Sequence, residues 1–134
     1  MGFLKMREQE GEKNMSLQEC YKALEGDYEG VASRLRSEKM IKKFVLKFLN
    51  DASYQGLLTA LEEKNGEEAF RAAHTIKGVC QNLGFTKLGD SSSRLTDALR
   101  SGSMDGVEKL VEKVKGDYEQ TVNAIRILES ESES

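Results

Sequence analysis

Proline is absent from all 134 residues of this chain. A proline ends or kinks a helix because it removes an amide donor and its ring collides with the preceding turn. Long helices are therefore possible along the whole sequence, and the apolar residues repeat accordingly. After Ser37 they come in pairs four positions apart: Met40 and Ile41, Phe44 and Val45, Phe48 and Leu49. A strand would alternate single apolar residues, so this spacing predicts a helix.

Capping residues predict where the helices begin and end. Helix starts are predicted where a serine, threonine or aspartate precedes an apolar stretch: Ser16 with Glu19 as a capping box, Asp27, Ser37, Ser53, Thr86 and about Asp105, with Glu108 as its partner. Helix ends are predicted at Gly26, Asn65-Gly66, Gly84 and Gly102. No segment has the pattern of a strand. Because short connections reverse neighbouring helices, we predict an all-α, antiparallel helical bundle.

Composition excludes several classes of protein. Hydrophobic residues make up 38% and charged residues 32%, which is too apolar for a disordered chain and too polar for a membrane protein. Residues 1–14 lack the apolar stretch of a secretory signal. The net charge of -3 comes from Glu129, Glu131 and Glu133, because without them 20 basic residues face 20 acidic ones. A neutral body without a basic stripe argues against nucleic-acid binding.

The length predicts one domain. We expect a flexible leader over residues 1–15, a single helical domain over 16–129 and a disordered Glu-Ser tail over 130–134. Whether the natural start is Met1 or Met15 stays open. Cys20 and Cys80 lie far apart and have neither metal-ligand nor redox spacing, so we expect reduced thiols in a cytoplasmic protein.

His74 is the only histidine in the chain. It follows Ala73, which lies on the apolar stripe of its helix, and so it is rotated about 100° away from that residue. Lys77, Gly78 and Gln81 share its polar face, and Phe70 and Arg71 lie one turn earlier. A lone surface histidine is most often only a solvated side chain. No nucleophile and orienting carboxylate accompany it for a catalytic triad, and one histidine cannot hold a metal ion.

Gly78 favours a more specific interpretation. A glycine inside a helix costs roughly 1 kcal/mol relative to alanine. One explanation is close packing of a neighbouring helix, but Gly78 lies off the apolar stripe. The other explanation is a notch beside His74 that admits something from outside. Lys77 adds a cation suited to an anion such as phosphate, although taken alone it is an ordinary surface lysine.

The stretch from His74 to Gly84 resembles the signature of histidine-containing phosphotransfer (HPt) domains. That signature has a histidine, an apolar residue, a lysine followed directly by glycine, small residues and a closing Leu-Gly. The positions that match it are His74, Ile76, Lys77, Gly78, Leu83 and Gly84. The likeness in helix order extends from about Ser37 to Leu128, and residues 16–35 would be a covering element that varies within the family.

The resemblance implies a four-helix bundle, with additional N-terminal helical segments, that carries a phosphoryl group on His74. Its partners would be receiver domains or a hybrid histidine kinase in a two-component phosphorelay. Neutral imidazole is a suitable nucleophile near neutral pH, and Lys77 would stabilise the phosphoryl charge. The resemblance implies no cofactor, and the metal ion would belong to the receiver.

One family position differs. Several family members have a glutamine twenty-two residues after the histidine, which hydrogen-bonds the imidazole; here the residue is Thr96, whose side chain is shorter. Thr96 is a candidate for orienting the imidazole or for partner docking; the alternative is that a water or another side chain orients the ring. Arg100, one turn later, would add positive charge to the docking surface, and Arg71 and Gln81 are further candidates for partner contact.

Two other functions are weighed. The chain could be a helical docking module that binds receiver or kinase domains without phosphotransfer, but such a module would have no reason to keep both His74 and Lys77. An enzyme is disfavoured, because the sequence has neither a P-loop nor the glycine-rich ATP lid of a kinase, and it lacks paired acid-base groups.

Overall fold

The computed structural model describes residues 17–133, and every regular element within that range is helical. Helix α1 occupies residues 17–23. The remaining helices are α2 (Tyr28–Leu35), α3 (Glu38–Lys47), α4 (Ser53–Glu62), α5 (Gly66–Leu83), α6 (Thr86–Leu99) and α7 (Glu108–Glu133), and a 3₁₀ helix, Phe48–Asn50, follows α3 directly. The predicted all-α fold is confirmed. The expected leader, the capping residue Ser16 and the last residue, Ser134, lie outside the described residues.

Helices α4 to α7 form the four-helix bundle. Each of them packs against the next along the chain. The bundle closes where Tyr54 of α4 stacks on Tyr118 of α7, with ring centroids 3.6 Å apart and nearly parallel planes. Buried apolar side chains from all four helices meet between them, among them Leu57, Ile76, Leu95 and Ile125. Within residues 17–133, no helix is both long enough and apolar enough to cross a bilayer.

Several predicted helix boundaries are confirmed. The side chain of Asp27 accepts a hydrogen bond from the backbone of Gly30 and begins α2. The hydroxyl of Ser37 accepts one from the backbone of Met40 and begins α3. Gly84 ends α5 in the left-handed conformation, with φ of 73°. These three boundaries depend on one residue and its immediate neighbours, which is why the sequence predicts them.

Other boundaries differ from the prediction. Ser53 does not cap α4; its own N–H donates to the Asp51 carboxylate at 2.8 Å, and Ser53 is the first helical residue. Thr86 is likewise inside α6, because the chain resumes its helix directly after Phe85. Asn65 does not end α4 but begins α5, where its side chain accepts from the backbone of Glu68.

The last helix differs at both ends. It begins at Glu108 rather than at about Asp105, because Gly106 has a φ of 73° and holds the chain outside the helical conformation. It continues to Glu133, so residues 130–133 are helical and the prediction of a disordered tail there is wrong. Neither glycine nor proline follows Gly116, and glutamate is a good helix former, so the end of the sequence contains nothing that stops the helix.

The C-terminal end of α5 is held by the residues that precede the bundle. The guanidinium of Arg34 donates to the carbonyl oxygens of Gln81 and Asn82, at 3.3 and 2.8 Å. The hydroxyl of Tyr21 donates to the carbonyl of Leu83 at 2.6 Å. The last carbonyls of a helix have no partner inside it, so these side chains satisfy acceptors that would otherwise need water.

Phe85 anchors the same end. Its ring is fully buried and packs against Tyr21 and Phe48, with centroids 5.7 and 5.2 Å away. Helices α1 and α2 therefore cover the end of the helix on which His74 lies.

Candidate functional site

Helix α5 places His74 on the side opposite the core. The stripe predicted from the sequence is buried throughout: Ala69, Ala73, Ile76, Cys80 and Leu83. His74 is exposed, as its offset from Ala73 predicts. Its imidazole is therefore open to a macromolecular partner.

Gly78 leaves open space on this face. A Cβ atom built at Gly78 would have nothing within 4 Å, whereas one built at Gly89 of α6 would lie 3.3 Å from the Cβ of Cys80. Gly89 thus lets α5 and α6 approach closely, and Gly78 does not serve that purpose. No contact within the described residues therefore supports the helix-packing explanation of Gly78, and the surface is open at this position. That the opening admits a partner stays a prediction.

Lys77 supplies an unpaired cation next to the histidine. Its side chain is half-buried against the bundle. Within residues 17–133 its ammonium group has no hydrogen-bond acceptor and no carboxylate within ion-pair distance. A lysine without an internal partner is available to an incoming anion.

The imidazole of His74 lies against the ring of Phe70, one turn earlier on α5. The two centroids are 5.9 Å apart and the planes differ by 10°. The guanidinium of Arg100 lies over Phe70, 5.5 Å from the ring centroid, and is paired with Asp97 of its own helix at 3.1 Å. Arg100 therefore contacts Phe70, the residue that stacks on His74, and its contribution of positive charge to a docking surface stays a prediction.

The two remaining α5 candidates lie on the exposed face. Arg71 is exposed, and it pairs with Glu67 at 3.1 Å and Glu68 at 3.4 Å. These carboxylates offset its charge, so Arg71 adds less positive potential than its sequence position indicates. Gln81 is exposed one further turn beyond Gly78, and its carbonyl is among those bound by Arg34.

The structure contradicts the predicted roles of Thr96. Its side chain is fully buried, so it forms no part of a docking surface. Its hydroxyl donates to the carbonyl of Ser92 at 2.7 Å, which commits its one proton inside α6. A threonine bonded to the carbonyl four residues earlier is a common local arrangement, and it leaves no donor for the imidazole. Thr96 therefore does not take the role of the glutamine that hydrogen-bonds the imidazole in several family members.

The cysteines lie away from this surface. Both are free and buried. Burial raises the pKa of the Cys20 thiol to about 12, and it also raises the pKa of the Cys80 thiol. Both thiols therefore stay protonated at neutral pH and are poor nucleophiles. Among the described residues there is no group of three or more His, Cys, Asp or Glu side chains that could hold a metal ion.

Comparison with known families agrees with this geometry. The Hpt domain model matches residues 49–124, more than half of the chain. The chain belongs to the Hpt domain family. No curated protein and no solved structure gives a significant match. Hpt domains act as phosphocarriers in two-component phosphorelays, where they interact with receiver or kinase domains. In this Hpt domain the matched range includes the whole predicted site, from Arg71 to Arg100, and excludes α1 to α3.

The contacts of this Hpt domain that were not predicted from the sequence include the Phe70–His74 stack and the binding of Arg34 to the end of α5. The Phe70–His74 stack had a visible signal, since aromatic residues four apart on a helix are neighbours. The binding of Arg34 to the end of α5 had none, because it joins residues 47 and 48 positions apart through the tertiary fold.

Proposed function

We propose that this Hpt domain carries a phosphoryl group on His74 between the aspartates of receiver domains. The observation that carries the proposal is the position of His74 at the exposed centre of α5, with an open notch at Gly78 and an unpaired Lys77 within one turn. A docking surface alone would need neither a nucleophile nor a cation at that point.

The chemistry follows from this arrangement. The lone pair of an unprotonated ring nitrogen attacks the phosphorus of a receiver aspartyl phosphate in line with the bond that breaks. A P–N bond forms, the P–O bond to the carboxylate breaks, and the aspartate leaves with that electron pair. The proton on the other ring nitrogen is not transferred. The reverse sequence on a second receiver returns the group to a carboxylate.

Each neighbouring residue has a distinct part in the proposal. Lys77 places positive charge where the equatorial oxygens of the moving phosphoryl group gather negative charge, and such charge stabilisation dominates phosphoryl transfer. Gly78 lets the receiver backbone approach the imidazole. Gln81 and Arg100 lie at the edge of the same surface, where they would contact the receiver.

The reaction needs a second protein domain. The aspartate, the metal ion and the rest of the transfer site belong in this proposal to the receiver or hybrid kinase, and this chain supplies the nucleophile. We place the exchange in the cytoplasm, where free cysteines such as Cys20 and Cys80 stay reduced.

The test is transfer from a ³²P-labelled receiver domain to the full chain. Wild-type protein is expected to take up label that is lost in acid and kept in alkali, as for a phosphoramidate. His74→Gln is expected to take up none and to keep the wild-type helical circular dichroism, because an exposed side chain contributes little to the core. Asn123→Gln is the matched control, since it changes an exposed polar residue of α7, away from the His74 face, and leaves the acceptor intact.

The outcomes separate the alternatives. Label that survives in His74→Gln would place the acceptor elsewhere and refute the proposal. Receiver binding, measured by calorimetry, without label on the wild-type protein would establish the docking module instead.

A further inference from the structure

We propose that Phe70 is a positioning residue that holds the imidazole of His74 ready for phosphoryl transfer, and that Arg100, at the end of α6, in turn fixes Phe70. The inference rests on the proposed carrier function and adds the device that orients its nucleophile. It assigns to Phe70 and Arg100 the task that Thr96 does not perform.

Phe70 is suited to fix another ring because it is itself fixed. It is partly buried and packs against the hydrophobic core, while the histidine beyond it is exposed. The near-parallel planes and the 5.9 Å centroid separation correspond to an offset stack. Because the two residues are one helical turn apart, the backbone holds both rings on one face of α5.

Arg100 joins this pair to the next helix. Its guanidinium over the Phe70 ring is a cation–π contact, and its pairing with Asp97 limits where that guanidinium can move. Phe70 thus has the bundle beneath it and a cation from the end of α6 beside it. The imidazole, the phenyl ring and the guanidinium are in contact one after another, so the nucleophile is linked to the end of α6 as well as to its own helix, α5.

Stacking also leaves the reactive atoms free. The contact uses a face of the imidazole, whereas the nitrogen lone pairs lie in the plane of the ring. Within residues 17–133 the imidazole has no hydrogen-bond partner, so no other described contact fixes its rotation. Because the stack already restricts the ring before the receiver binds, less rotational entropy is lost on reaching the transition state of the transfer.

The test uses the fact that the chain has one histidine. Proton NMR of the protein alone therefore shows a single set of imidazole C–H signals, and these report the ring current of Phe70. In Phe70→Leu we expect those signals to move toward the positions of a free imidazole, and in Phe70→Tyr to stay near wild type. Receiver-to-His74 transfer is expected to slow about 2- to 13-fold in Phe70→Leu, the factor that matches the ~0.5–1.5 kcal/mol of an aromatic pair, and to recover in Phe70→Tyr.

Two further variants test whether the effect is specific to Phe70 and whether Arg100 contributes to it. Phe44→Leu removes another partly buried ring that lies beside a cation, since the ammonium of Lys47 is 6.0 Å from its centroid. It is expected to leave the imidazole signals unchanged. Arg100→Gln changes an exposed side chain, so it keeps the fold intact, and it is expected to shift the imidazole signals in the same direction as Phe70→Leu but by less.

Imidazole signals at wild-type positions in Phe70→Leu would overturn the proposal, even if transfer were slower. Displaced signals with an unchanged transfer rate would overturn it too, because the stack would then have no effect on the reaction. If wild-type His74 accepts no phosphoryl group although its ring-current shift is present, the carrier function itself fails, and the NMR result distinguishes that failure from a missing stack.

Discussion

Replacing Gly78 should make the protein more stable and, at the same time, a poorer phosphoryl acceptor. Gly78 is in the interior of α5 and is exposed. Because a Cβ atom there would have nothing within 4 Å, the substitution Gly78→Ala adds no clash inside the folded chain. The helix simply loses a poor helix former.

The expected stability gain can be worked from helix propensity. Glycine is less favourable than alanine by about 0.8–1.0 kcal/mol in an exposed helix interior. For a domain of this size, an increase of that much in the free energy of unfolding corresponds to a rise in Tm of roughly 3–5 °C. Gly78→Gln should gain somewhat less, because glutamine has a lower helix propensity than alanine.

The expected effect on transfer has the opposite sign. In the proposed complex the added atoms occupy the notch beside His74 and collide with the receiver. An extra methyl in a packed contact costs typically about 1–3 kcal/mol. Its lower limit corresponds to about a fivefold loss of transfer rate for Gly78→Ala, and the longer side chain of Gly78→Gln should lose more.

The assay measures thermal unfolding and receiver-to-His74 transfer on the same preparations. Gly116→Ala is the matched control, because Gly116 is an exposed glycine inside α7 whose added Cβ would also have nothing within 4 Å. It should raise Tm to a similar extent and leave transfer unchanged. A lower Tm for Gly78→Ala together with normal transfer would refute the reasoning, because Gly78 would then serve helix packing after all.

Two further predictions concern charged groups. Lys77→Ala should slow transfer without lowering Tm, since its ammonium stabilises no group inside the described chain; unchanged transfer kinetics would make Lys77 an ordinary surface lysine. The hydrogen bond from Lys87, at 2.8 Å, lowers the pKa of the Glu25 carboxyl. The stability from this pair should be present above the pKa of an unfolded glutamate, about 4.3, and be lost as the pH falls through the lower folded value. Urea unfolding of Glu25→Gln between pH 6 and pH 3 should therefore depend less on pH than that of the wild type, and an equal dependence would show that the pair contributes nothing.

Much of the fold could be predicted because its signals are local. The apolar stripe of α5, the caps at Asp27 and Ser37 and the stop at Gly84 each depend on residues within a few positions of one another. The exposure of His74 follows from the same stripe by simple rotation about the helix axis. Ser53 shows the limit of this reasoning, since its own N–H donates to the carboxylate of Asp51, and Ser53 is the first helical residue rather than the cap.

The rest of the site could not be predicted because it depends on how helices cross. Whether Thr96 faces the core or His74 is decided by the rotation of α6 against α5, which residue spacing alone does not give. The pairing of Arg100 with Phe70 depends on that same crossing, between residues thirty positions apart. Such contacts become visible only when the packing of the bundle is known.

The cover that Tyr21 and Arg34 place over the end of α5 bears on how the domain is cut for expression or fusion. The family match begins at residue 49, downstream of both side chains. A fragment trimmed to the matched range would expose the carbonyls of Gln81, Asn82 and Leu83 and would remove both aromatic neighbours of the Phe85 ring, Tyr21 and Phe48. We expect the C-terminal end of the helix that carries His74 to fray in such a fragment. The smallest stable Hpt domain of this chain is therefore expected to be longer than the range that the family model matches.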